Sequence, residues 1–163
     1  MNDRPSDRCG GGDGPEPVLT AWADAYRALS RRVEYGAFLY RSCAGPVTYR
    51  TGRTLRGFGR IGPVQAHVVL PFLYFYLLEA PWFRLSEGWI PEGLVHTHPA
   101  PPPGMTSRFH SATDRWLTRL PRVPAVYVVP YENREIRRYP DPEERERQGT
   151  DKNRKDGTGS ERR

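Results

Sequence analysis

The chain reads as a single α/β domain, and three patterns lead to that class. Apolar residues recur at helical spacing in Val18, Trp22, Ala25, Tyr26 and Leu29. Val33–Tyr40, Gly93–Thr97 and Ala125–Val129 are short runs rich in β-branched and aromatic residues, as strands are. A second helical stripe, Ala112, Trp116, Leu117 and Leu120, stands between the last two runs. A length of 163 residues suits one domain with a modest core.

Residues 1–16, with Gly10, Gly11, Gly12, Gly14 and Pro15, read as a disordered leader, and Pro17 suits the first turn of a helix. That helix is expected over about 17–32 and delivers the chain to the strand that carries Glu34. Ala44-Gly45-Pro46 turns the strand into Val47–Thr51, which makes a hairpin. From Gly52 to Gly62 glycine and arginine alternate, and the reading is loop. Val68–Leu78 is the most apolar stretch, but Pro71 breaks it and it falls short of the about 18 residues a membrane helix needs. It is read as buried structure or a wall of the substrate path, with helix and strand both open.

Gly93–Thr97 is the next strand. Pro99 ends it, because proline cannot donate to a ladder, and Pro101, Pro102, Pro103 and Gly104 make a loop. Ser111 opens the second helix, and Pro121 lies just past its end. Ala125–Val129 reads as a buried strand, Pro130–Asn133 as a turn and Glu135–Tyr139 as its return. The folded domain is placed at 17–140. Residues 141–163 mix both charges with almost no apolar side chain and read as a disordered tail.

The chemistry concentrates in Gly93-Leu94-Val95-His96-Thr97-His98-Pro99 and Ser111-Ala112-Thr113-Asp114. Residues two apart on a strand share a face, so His96 and His98 project together while Thr97 points away. Asp114 sits one turn beyond Ser111. A His, His, Asp set leaves the fourth tetrahedral position open, which is the arrangement of catalytic zinc, whereas structural sites are closed by four ligands. Ser-x-x-Asp is also a helix-capping box, and the two roles are compatible. Activating a water on such a metal calls for a base that is not a ligand. Glu34, a carboxylate in an apolar and aromatic run, is the candidate; Glu79, Glu87 and Glu92 are its rivals.

A helix, a strand bearing Glu34 and then Gly36, Gly93-x-x-His96-x-His98-Pro99 and Ser111-x-x-Asp114 together resemble the JAB/MPN metallopeptidase family and its JAMM motif. The Glu34-Tyr35-Gly36 opening, the loop before Phe109-His110-Ser111 and the Val126-Tyr127-Val128-Val129-Pro130 strand resemble a bacterial branch that includes toxin-associated domains, and the resemblance spans about residues 17–140. It implies a mixed β-sheet flanked by helices, with Zn2+ bound by His96, His98 and Asp114. In that reading Glu34 activates the water on the metal and Ser111 stabilises the tetrahedral intermediate. The reaction implied is cleavage of a peptide or isopeptide bond in a protein or peptide substrate. Twelve residues separate His98 from Ser111, more than the motif usually has, so the proline loop must bulge outward. The alternative is a JAB-like scaffold that keeps its shape and its zinc but binds a partner without catalysis, through Arg53–Arg60 or Pro101–Pro103.

His110 is expected at the surface of a helix start, or as an alternative ligand or proton shuttle, and His67 as a plain strand residue. The net charge is +6, and nearly all the basic residues are arginine. Arginine favours carboxylate or phosphate contacts, but Phe58 alone does not make an aromatic ladder for bases, so nucleic acid is not the expected partner. No signal-peptide segment leads the chain, and Cys9 and Cys43 are too few for a disulfide framework. The expected location is cytoplasmic, with no membrane partner; export by another route, as for a toxin domain, stays open.

Overall fold

The computed structural model describes residues 13–42, 44–57, 88–101, 103–120 and 122–141. The expectations for most of the leader, Cys43, Phe58–Gly62, His67, Val68–Leu78, Glu79, Glu87, Pro102, Pro121 and nearly all of the tail lie outside these residues.

Helix α1, Glu16–Tyr26, begins one residue before Pro17 and continues into a 3-10 turn at Ala28–Arg31. Its buried face is Leu19, Trp22 and Ala23, with Val18 and Tyr26 packed beside them. The expected stripe is therefore corrected by about one residue: Ala25 is exposed, and Leu29 is 57% exposed. For Leu29 the cause is a change of period. A 3-10 turn advances three residues per turn where the α-helix takes 3.6, so the residues after Tyr26 rotate off the face.

Among the described residues there are six strands: β1 Tyr35–Ser42, β2 Thr48–Thr51, β3 Leu55–Arg56, β4 Trp89–Thr97, β5 Val126–Val129 and β6 Arg137–Tyr139. They form one mixed sheet in the order β2-β1-β4-β5-β6, with β3 also pairing with β1. The β1–β4 and β5–β6 pairs are antiparallel, and β4–β5 is parallel. The expected α/β class with a mixed sheet is what is found. Two expectations need correction. Gly52–Gly62 is not all loop, because β3 pairs Leu55 with Gly36 and Arg56 with Tyr35. The strand before Pro99 starts four residues earlier than expected, at Trp89.

Alternation along the strands divides the core between the two sheet faces. Ala37, Leu39, Val95, Tyr127 and Val129 pack with α1, while Phe38, Tyr40, Leu94 and Val126 pack on the other side with Leu117 and Val123. Helix α2, Ala112–Leu117, links β4 to β5, as a parallel pair requires a crossover. It is shorter than expected and turned differently. Leu117 is buried and Leu120 packs against the core, but Ala112 is exposed and Trp116 is 45% exposed.

β4 and β5 approach closely at Gly93. A Cβ there would stand 2.6 Å from the Ala125 carbonyl oxygen, the same oxygen that accepts a hydrogen bond from Leu94 N at 2.9 Å. Glycine is required by this backbone contact.

Candidate metal centre

β4 ends at Thr97, and its ladder continues for one more residue because His98 N donates to Val129 O at 3.0 Å. The next tie is Ala100 N to Arg31 O at 3.2 Å. His98 is thus held as firmly as a strand residue, although it follows the strand. Gly36 of β1 lies opposite His96, so the position directly facing that imidazole carries no side chain. Tyr35 N donates to Thr97 Oγ1 at 2.9 Å, which fixes the start of β1 against the end of β4. Continuing the register outward from Gly36 and His96 sets Glu34 across from His98, on the same face.

Glu34 is placed just ahead of β1, one residue outside the strand in which it was expected, and it is buried at 5% exposure. Its backbone carbonyl accepts from Gly57 N at 2.7 Å. Of its rivals, Glu92 is paired with Arg41 at 3.3 Å and lies four residues back along β4, about 13 Å from His96 at strand rise. Glu79 and Glu87 lie outside the described residues.

His96, His98 and Asp114 converge. His96 Nε2 is 3.1 Å from His98 Nε2 and 3.1 Å from Asp114 Oδ1, and His98 Nε2 is 3.5 Å from Asp114 Oδ2. One donor atom from each lies within 4.8 Å of the others, the only such grouping of three among the described residues. A tetrahedral ion with bonds of about 2.0–2.1 Å would separate its donors by about 3.3 Å, and the observed spacings bracket that figure. The three residues therefore fit a metal ion. His96 and Asp114 are buried, and His98 is the most accessible of the three at 13% of its side chain.

The electrostatics agree with the geometry. Burial pushes the Asp114 carboxyl up, but the charge and hydrogen bonding of His96, with His98 behind it, outweigh burial and hold it well below the usual carboxylate range. Burial pushes the His96 imidazole down, and the adjoining Asp114 carboxylate and the charge of Glu34 carry it above its ordinary value. Glu34 is thus within electrostatic reach of His96.

No family model, curated protein or solved structure matches the chain. Function is therefore read from the chain's own residues.

Ser111 is the N-cap of α2. Its hydroxyl accepts from Asp114 N at 3.1 Å, and its own N–H donates to Asp114 Oδ2 at 2.5 Å, a reciprocal capping box. The cap is real, and it also aims the Asp114 carboxylate. His110 departs from its expected surface position: it is half-buried, its ring centroid is 5.5 Å from that of Tyr139, and its Nε2 is buried without a partner. Burial lowers its pKa. It is not among the three grouped donors.

Two residues escaped the sequence reading, Ser107 and Glu132. His98 Nδ1 is 2.8 Å from the Ser107 carbonyl oxygen. A carbonyl can only accept, so Nδ1 carries the proton and Nε2, which faces His96 and Asp114, is left as the acceptor. Ser107 N donates to Glu132 Oε1 at 2.7 Å, Ser107 Oγ donates to Glu132 Oε2, and Tyr131 N donates to Ser107 Oγ at 3.0 Å. Ser107 lies in an irregular loop and Glu132 in a turn, where no periodicity marks a residue as functional.

In the basic loop Arg53 and Arg56 are exposed, and Arg60 lies outside the described residues. Among the described residues no helix is long and apolar enough to cross a membrane.

Proposed function

We propose that the chain is a zinc-dependent hydrolase of JAB/MPN type that cleaves a peptide or isopeptide bond. The observation that carries the reading is the convergence of His96, His98 and Asp114 at tetrahedral donor spacing, with a buried carboxylate, Glu34, beside them. A Zn2+ held by these three residues supplies Lewis acidity, which polarises a carbonyl oxygen and lowers the pKa of water to about 7. Nitrogen and carboxylate donors in this number suit zinc over magnesium or calcium, which take oxygen ligands.

The protein's own groups do the rest. Glu34 accepts a proton from the attacking water at its carboxylate and returns it to the leaving amine. Its burial at 5% exposure keeps bulk water from competing for that proton. Ser111 Oγ accepts from Asp114 N, and an accepting hydroxyl still has its own proton to give. That proton is directed to the oxygen on which charge develops. His98 and Asp114 keep their orientations through Ser107 and Ser111 respectively, so neither has to reorganise during the reaction.

The test is Glu34→Gln, which is nearly isosteric but cannot accept the proton at neutral pH. Zinc-loaded wild type and variant are incubated with a mixture-based peptide library and with peptides joined through a lysine ε-amide, and new amino termini in the first and freed lysine ε-amines in the second are read by mass spectrometry. The expected result is cleavage by the wild type and none by the zinc-loaded variant. Equal cleavage by both would end the proposed mechanism.

A further inference from the structure

We propose that Glu132 is a positioning residue for the metal centre: through Ser107 it fixes the tautomer and orientation of His98. The proposal rests on the metal-centre reading above and adds a residue to it from a different segment of the chain.

His98 is held from outside the site. Its imidazole is anchored by one visible contact other than its neighbours in the site, the Nδ1 contact to Ser107 O at 2.8 Å. A metal-bound histidine with its second nitrogen on a carbonyl is held in one tautomer, and such outer contacts govern affinity as well as geometry. Ser107, however, belongs to the loop between Pro103 and Ser111, which contains no helix or strand. Such a carbonyl stays in place only if something holds it.

Glu132 supplies that hold. Its two carboxylate oxygens take the N–H and the hydroxyl of Ser107, one each. Tyr131 N closes the arrangement on Ser107 Oγ. Ser107 is consequently buried at 7% exposure, whereas Met105 and Phe109, two residues away on either side, are 70% and 65% exposed. The loop is pinned at the single residue whose carbonyl meets His98.

Glu132 itself is exposed and in no core cluster. Its replacement leaves no buried charge and opens no cavity, so an effect on the metal can be separated from an effect on the fold. The turn carrying Glu132 follows β5 directly, and Val129 of β5 also holds His98 through its backbone. Both supports of His98 therefore come from one segment.

The experiment measures zinc affinity by competition with a chromogenic chelator for wild type, Glu132→Ala and Glu132→Gln. The tautomer of His98 in the metal-free proteins is read from long-range proton–nitrogen NMR spectra. Removing an outer-shell partner typically costs about 10- to 100-fold in metal affinity, and that loss is expected for Glu132→Ala, together with loss of the single Nδ1–H tautomer. Glu132→Gln keeps an acceptor for Ser107 N–H and should recover part of both. Should Glu132→Ala fail to fold, the Gln variant carries the same two readouts. Wild-type affinity and wild-type tautomer in a folded variant would overturn the proposal while leaving the metal centre intact. Wild-type protein that takes up no zinc would overturn the metal centre, and this proposal with it.

Discussion

Ser111 and Asp114 exchange hydrogen bonds in both directions, so a single substitution there has two separable effects. Ser111→Ala removes the hydroxyl that caps α2 but keeps the backbone N–H that aims the Asp114 carboxylate. Zinc should be retained. The loss of the cap should cost about 1 kcal/mol of stability, and the loss of an oxyanion donor should cost about 10²- to 10³-fold in turnover. Melting temperature and turnover on one preparation separate the two; unchanged turnover would confine Ser111 to capping. Glu132 gives a pH test at the same scale. Burial nudges its carboxyl upward, but the Ser107 hydroxyl and N–H outweigh that and set it at about 2, against an ordinary 4.5. The folded state binds this proton more weakly than the unfolded chain, so the contact stabilises fully above about pH 4.5 and fades as pH falls towards 2. Because Glu132 is exposed, the stabilisation is small. The melting-temperature difference between wild type and Glu132→Gln should be full at pH 6 and shrink to about a quarter of that at pH 2.5; an undiminished difference there would mean the contact does not depend on the charge.

The elements show which parts of the pattern could be read. β1, β2, β4 and β5 announce themselves through β-branched and aromatic runs bounded by proline, glycine or polar turns, and each lies within a few residues of its expected place. β3 could not be seen, since two residues carry no period, and it exists because Tyr35 and Gly36 offer a free edge. Helix α2 misled in its orientation: over six residues a helix makes fewer than two turns, and the capping box fixes its rotation where an apolar stripe would in a longer helix. Gly93 looked like part of a motif and proves to be a spacer between strands. Gly93→Ala would drive a methyl group into the Ala125 carbonyl oxygen at 2.6 Å. Overpacking of this kind costs about 1–3 kcal/mol. Since β5 also supports His98, zinc affinity should fall along with the melting temperature. A Gly93→Ala protein as stable and as tightly zinc-bound as the wild type would contradict the close approach.

Taken as a whole, the molecule gathers its candidate site from three separate stretches of chain: the approach to β1, the end of β4 and the first turn of α2. The three grouped donors were legible because two share one strand at period two and the third follows a capping signature. Glu34 was legible as a carboxylate out of place. Ser107 and Glu132 were not, because their roles come from a meeting of loop and turn, 25 residues apart, that no local pattern encodes. A metal that bridges β4 and α2 should also stabilise the fold by mass action, by about 4 kcal/mol when zinc exceeds its dissociation constant 1,000-fold. Chelation should lower the melting temperature accordingly. The most direct measurement is zinc content by elemental analysis of protein purified without chelator, for the wild type and for the His96→Ala, His98→Ala double variant. About one zinc per wild-type chain is expected and none in the double variant, with both proteins folded; a metal-free wild type, or a double variant that keeps its zinc, would contradict the metal centre.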